Sequence, residues 1–315
     1  MSVRDLVVLG SASAVPTKSR NHNGYFLRWD GHGLLFDPGE GTQRQMALAG
    51  VTASDLTWIC VTHFHGDHCL GVPGIVQRIA RDGVQHRVNA VFPASGRDYW
   101  ERLRHATAFR DTEVIDERPV SGDRMALDTG DAPFTLMARR LSHPVEAYGY
   151  RLEEPDGLTM LPGELAARGV HGPMVRRLRD EGRVTLPDGT TVALDECSVR
   201  RPGQKLAFVM DTRLCDGVTE LAEGVDMLVI ESTFLDSETA HAQEYGHLTA
   251  GQAGKVAAEA GVRRLVLTHF SERYRLEDEP RFLEEAAAAF HGDIVLAHDF
   301  DRVPMPSRRG ADQGR

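Results

Sequence analysis

Apolar runs along the chain are short and rich in β-branched residues, and they stop again and again at a carboxylate or an imidazole. Residues 6–10 and 33–36 read as strands, the second ending in Asp37-Pro38-Gly39-Glu40-Gly41. The run 56–61 reads as a buried strand. Residues 134–141 lead to His143-Pro144, 205–210 deliver Asp211-Thr212, 227–230 deliver Glu231-Ser232, and 265–267 deliver Thr268-His269. Helical patterns fall between them, over 43–49, over 73–81 with Pro in the first turn, and over 249–260 closed by Gly261. Strands alternating with helices predict an α/β fold with its chemistry where the strands end.

The densest chemistry follows the run 56–61, in Thr62-His63-Phe64-His65-Gly66-Asp67-His68. His63 and His65, two apart in an extended segment, face one way and suit one ion. Asp67 and His68, beyond a glycine that lets the chain turn, suit a second. Adding the strand-end residues gives His63, His65, Asp67, His68, His143, Asp211, His247 and His269. The expected assignment is His63, His65 and His143 on one divalent ion and Asp67, His68 and His269 on the other, with Asp211 bridging. Zinc suits so many imidazoles best; manganese and iron are the alternatives. No organic cofactor motif accompanies the set.

Length and composition leave room for one large domain, expected over 1–303 with a disordered tail over 304–315. The 315 residues are 41% hydrophobic, and no run approaches membrane-spanning length. Lacking a signal-like apolar stretch at its start, the chain is expected to be cytoplasmic. Cys60, Cys69, Cys197 and Cys215 show no paired metal spacing and are expected as reduced thiols. The formal net charge of −10 argues against nucleic-acid binding over the whole surface but leaves room for a local basic patch.

One stretch departs from the sheet pattern. Residues 154–201 carry Gly, Pro and charge, including Gly172-Pro173, Arg176, Arg177, Arg179 and Arg183. A helix-and-hairpin arm projecting from the body is expected there.

The order and spacing of the ligand set resemble the metallo-β-lactamase superfamily, which implies a four-layer αββα sandwich with two metals at one edge of the sheets. Further motifs narrow the resemblance. Pro16-Thr17-Lys18-Ser19-Arg20-Asn21, Gly41-Thr42-Gln43-Arg44-Gln45-Met46, Gly71-Val72-Pro73-Gly74 and Thr268-His269-Phe270-Ser271-Glu272-Arg273-Tyr274 are similar to those of the ribonuclease Z family.

That family implies an endoribonuclease that trims the 3′ trailer from precursor tRNA, working as a homodimer. Its arm would grip the tRNA through Gly172, Pro173, Arg176, Arg177 and Arg179, with Lys18, Arg20 and Arg273 meeting phosphates. Asp67 would orient the attacking water, and His247, supported by Glu231, would protonate the leaving oxygen. The alternative from the same superfamily is a small-molecule metallohydrolase acting on a thiolester, lactone or cyclic phosphodiester. An RNA-binding module with a relic metal site is a third reading, disfavoured because every ligand is present.

Overall fold

The computed structural model describes residues 3–309, which build two seven-stranded sheets and a separate smaller unit. The first sheet runs Arg302–Pro304, Arg4–Gly10, Gly24–Trp29, His32–Phe36, Trp58–Cys60, Val88–Pro93, Ile115–Val120. The second runs Asp293–Leu296, Arg264–Thr268, Met227–Glu231, Lys205–Val209, Tyr148–Glu153, Thr135–Arg140, Arg124–Leu127. Each is parallel over one half and antiparallel over the other. The inner parallel strands, such as Trp58–Cys60 and Met227–Glu231, are buried on both faces, whereas the edge strand Ile115–Val120 carries Asp116, Glu117 and Arg118.

Period-two alternation sorts the strand residues into layers. Leu6, Val8, Tyr25, Leu27, Phe36 and Trp58 of the first sheet meet Leu136, Tyr150, Leu152, Phe208 and Val229 of the second in one buried cluster. Phe36 stacks on Phe208 with ring centroids 4.5 Å apart, an interaction worth about 1 kcal/mol beyond the area it buries. The opposite faces take helices. Val7, Leu9, Leu35 and Ile59 pack against Met46, Ile75, Val76, Ile79 and Trp100. Ala207, Val209, Leu228 and Leu265 pack against Val218, Leu221, Ala253, Ala257 and Phe282. The result is the expected α/β fold, helix–sheet–sheet–helix in four layers.

Helices form where the pattern predicts them, at Thr42–Ala49, Val72–Arg81 and Ala250–Glu259. The last is capped by the Thr249 hydroxyl, which accepts from Gln252 N. The tail expected over 304–315 is corrected at its start. Arg302–Pro304 pairs with the first strand, Met305 N bonds Arg4 O, and the Arg308 guanidinium pairs with Glu154; residues 310–315 lie outside the described residues.

The segment Glu154–Gln204 belongs to the separate compact unit and contains two short antiparallel pairs, Gly157–Met160 with Ser198–Arg201 and Arg183–Thr185 with Thr191–Ala193. The helices Pro162–Ala167 and Pro173–Glu181 complete it around its own small core of Leu165, Val170, Leu178, Val184, Val192 and Cys197.

Candidate metal centre

Every ligand predicted from the sequence arrives at one place, because each follows the carboxyl end of a strand in the two packed sheets. Beyond Trp58–Cys60 the chain is pinned by Val61 N bonding Val91 O and Thr62 N bonding Asp37 Oδ1 at 2.7 Å. It then turns at His65 into the short helix Gly66–Cys69, which carries Asp67 in its first turn and His68 in its last. An isolated bridge between Ser142 and Arg213 sets His143 beside Asp211. His269 has a left-handed backbone, φ 63°, locked by Phe270 N bonding Ser11 O and Ser13 N bonding Phe270 O. A non-glycine residue in that conformation costs free energy unless its neighbours hold it, as they do here.

Two groups of donor atoms result, with Asp211 reaching both. In the first, His65 Nδ1 lies 3.0 Å from His63 Nε2 and 3.3 Å from His143 Nε2. Asp211 Oδ2 is 3.5 Å from His63 Nε2 and 3.8 Å from His143 Nε2. In the second, His68 Nε2 is 3.2 Å from Asp67 Oδ2 and 3.3 Å from Asp211 Oδ1, while His269 Nε2 is 3.6 Å from Asp67 Oδ2.

Bonds of about 2.0–2.1 Å at tetrahedral angles put zinc ligand atoms about 3.3 Å apart, so both groups have metal spacing. Asp211 Oδ1 and His269 Nε2, 3.1 Å apart, are buried with no hydrogen bond to either atom. An ion that both coordinate removes that desolvation cost. The residues present therefore fit divalent metals.

For four of the imidazoles, the far side fixes which nitrogen faces inward. His68 Nδ1 is 2.8 Å from Asp37 Oδ2, His269 Nδ1 is 2.7 Å from Thr233 Oγ1, His63 Nδ1 is 3.0 Å from Thr62 Oγ1, and His143 Nδ1 is 2.9 Å from Gly246 O. Such outer partners orient metal-binding imidazoles and raise their basicity. Asp37, with φ 44°, is a functional residue that sequence reasoning places only at the end of a strand, with no role. Its signal is the same carboxylate-after-a-strand pattern that marks Asp211.

Electrostatics agree with cation binding. Burial pushes the His63, His65 and His143 imidazoles below their ordinary range, leaving them neutral as ligation requires. Burial also opposes charge on Asp67 and Asp211. The surrounding imidazoles outweigh it, chiefly His68 for Asp67 and His269 for Asp211, and hold both carboxyls below their usual range. Burial opposes a proton on His68, yet Asp211, Asp67 and Asp37 outweigh it and hold that imidazole well above its ordinary value. The pocket is thus made for positive charge, which a metal ion supplies in place of a proton.

His247 stands at the margin. Its Nδ1 lies 3.2 Å from Glu231 Oε1 and 3.9 Å from Asp211 Oδ2, so Asp211, His247 and His269 also have donor atoms within one ion's reach. Burial lowers its affinity for protons, but Glu231 and Asp211 outweigh it and push its pKa up to about 9.

The expected phosphate contacts fare differently. Arg20 is a correction: it is buried, and its guanidinium bonds Ser11 Oγ at 2.7 Å, Ala297 O at 2.6 Å and Glu279 Oε1 at 2.5 Å while covering the Phe270 ring. Buried against these partners, it braces the segment behind His269 rather than reaching out to a phosphate. Arg273 is engaged likewise, paired with Glu238 at 2.5 Å and packed over Phe234. Lys18 is exposed, as are Gly172, Pro173, Arg176, Arg177 and Arg179 in the smaller unit. Arg176 and Arg177 each lie one helical turn from an acidic partner, Asp180 and Glu181.

Residues 18–149 match the family model described as metallo-beta-lactamase superfamily, and residues 196–270 match that of the beta-lactamase superfamily domain. Ribonuclease Z of Thermobifida fusca is 61% identical over 314 residues, covering 100% of this chain and 98% of that protein. Ribonuclease Z of Nocardia farcinica is 61% identical over 309 residues, covering 98% of this chain and 100% of the relative. Among solved structures, the short form of human tRNase Z superposes with a TM-score of 0.66 at 25% identity, covering 96% of this chain and 99% of that one.

Proposed function

The chain belongs to the ribonuclease Z family of the metallo-β-lactamase superfamily, and from that premise we propose that it removes the 3′ trailer of precursor tRNA. The cut hydrolyses one phosphodiester, leaving a 3′-hydroxyl on the tRNA and a 5′-phosphate on the trailer. The observation that carries this reading is His247 held on Glu231 beside the ligand cluster. A phosphodiester cut in this sense expels a ribose 3′ oxygen, a poor leaving group until it is protonated.

Two zinc ions are the metals proposed for this donor set, one on His63, His65 and His143, one on Asp67, His68 and His269, with Asp211 shared. When bound, they supply Lewis acidity that lowers the pKa of water and offsets charge on the phosphoryl oxygens. Asp67, kept anionic by its neighbours, orients the attacking water and accepts its proton. His247 donates from Nε2, which takes no partner among the described residues, while Glu231 holds Nδ1.

The smaller unit, with exposed Arg176, Arg177 and Arg179, serves as the tRNA grip, and the exposed Lys18 meets a phosphate. We propose a homodimer in which one subunit grips the RNA that the other cleaves, acting in the cytoplasm. No described helix is long and apolar enough to cross a membrane.

The test is a 3′-extended precursor tRNA incubated with the purified protein, with chelator and after zinc is restored. Cleavage beside the discriminator nucleotide, abolished by chelation and recovered with zinc, is expected. An RNA left intact by the zinc-replete protein would overturn the reading.

A further inference from the structure

Phe64, the residue between two metal ligands, is apolar, only partly buried, and unused by the chemistry derived so far. Its ring meets Phe92 edge-on at 6.1 Å and lies beneath Tyr99 at 5.8 Å with the planes tilted 32°. Gly96 makes the seat: a Cβ there would stand 2.0 Å from Phe64 Cδ2, so the glycine lets the ring press against the backbone that opens the helix Arg97–Arg104. Tyr99, on that helix, is 55% exposed, and its hydroxyl has no hydrogen bond among the described residues.

One helical turn on, the Arg102 guanidinium carbon lies 6.0 Å from the Tyr99 ring. Arg102 is exposed and has no ion pair among the described residues, whereas its neighbour Arg104 is bound to Asp111 and Glu117. A half-exposed aromatic ring seated on a second ring, with an uncommitted cation close by, has the chemistry that captures an unstacked base and its phosphate.

The position of this ledge selects which part of the RNA it meets. His143 stands between the two sides of the centre, its ring 5.5 Å from that of His247 and 5.1 Å from that of His65. Phe64 immediately precedes His65 in the chain, and its ring packs on Phe92 and Tyr99 rather than on any group beside His247. In the reaction proposed above, the tRNA 3′ oxygen departs at His247, so the strand continuing beyond the phosphorus leads away from His247. That strand is the trailer, which is single-stranded and has bases free to stack.

We propose that Tyr99 and Phe64, with Arg102 beside them, form a stacking ledge for a nucleobase of the trailer. The inference rests on the reading of the site as a precursor-tRNA nuclease.

The test compares kcat/KM for wild type, Y99A and Y99F on a 3′-extended precursor tRNA and on the same RNA carrying one abasic nucleotide at the first, second or third trailer position. Y99A is expected to lose roughly 5- to 100-fold on the intact RNA, mainly through KM, and Y99F to cleave like wild type. At one of the three positions the abasic substitution should cost wild type a similar factor and cost Y99A nothing further. R102A should make the dependence of log KM on log salt shallower by about one unit. Y99A that matches wild type, or a loss that multiplies in full with all three abasic losses, would overturn the ledge. Wild-type protein inert on the unmodified RNA would overturn the nuclease reading, and the ledge with it.

Discussion

Glu231 Oε1 accepts from Thr212 N at 2.7 Å and lies 3.2 Å from His247 Nδ1, while its second oxygen takes the Thr233 hydroxyl at 2.5 Å. The carboxylate is thereby fixed in one orientation against the imidazole that is to give up a proton.

This pairing makes the pH dependence specific. His247 works in its protonated form and its pKa is raised to about 9, so its contribution is complete near neutrality and is lost as pH rises through about 9. Glu231→Gln removes the charge that most strongly favours the proton. The alkaline limb of the kcat profile should then move toward neutral pH, and a limb that stays in place would separate Glu231 from the proton transfer. His247→Ala should retain full metal by elemental analysis and lose about 10²- to 10⁴-fold in kcat. Metal lost from that variant would make His247 a ligand.

Asp37 is predicted to act through His68. Its carboxylate also accepts from Thr62 N and Thr62 Oγ1, each at 2.7 Å, and so ties the first sheet to the ligand loop. Asp37→Asn keeps a side chain that tolerates the left-handed backbone but removes the charge behind His68. Metal titration followed by calorimetry should show one of the two ions bound about 10- to 100-fold more weakly, and unchanged affinity for both would dismiss the role.

Arg20 and Lys18 stand two residues apart and should fail in different ways. Arg20→Ala leaves Glu279 with only His298 beside it, takes the buried donor from Ser11 Oγ and Ala297 O, and empties the space over Phe270, so a loss of about 2–4 kcal/mol in unfolding free energy is expected from denaturant titration. Lys18→Ala should leave stability within about 0.5 kcal/mol and instead weaken precursor-tRNA binding, with a shallower salt dependence.

The contrast shows where sequence reading stops. The ligands are legible because each ends an apolar strand, a local pattern that survives without knowing which strands are neighbours. The partners of Arg20 come from Ala297 and Glu279, more than 250 residues away, and no local pattern announces that a loop arginine is buried against them. Asp37 falls between the two cases: its strand is legible, but the approach of His68 depends on the parallel pairing of His32–Phe36 with Trp58–Cys60.

Metal should couple to folding as well as to catalysis. Four buried carboxylates, Asp37, Asp67, Asp211 and Glu231, converge on one end of the sheets. Ions that bind only the folded chain stabilise it by about 2.7 kcal/mol at a hundredfold excess over Kd. Thermal unfolding after exhaustive chelation should therefore shift downward by several degrees and return with zinc in a concentration-dependent way. A Tm indifferent to zinc would contradict binding at the folded site.

The smaller unit can be tested by excision, because Glu153 and Lys205 are direct cross-strand partners in the second sheet and can be joined by a short turn once residues 154–204 are removed. Its core is its own, so the deletion takes no side chain from the large clusters between and outside the sheets. If Arg176, Arg177 and Arg179 meet the phosphate backbone, their removal should raise KM for precursor tRNA by at least about tenfold at physiological salt. The salt slope should fall by about one unit for each phosphate that is no longer neutralised. A small diester such as bis-p-nitrophenyl phosphate has no second site to dock, so kcat/KM for it should change far less than for the RNA. Equal losses on both substrates would mean that the excised segment supports the metal centre itself rather than gripping RNA.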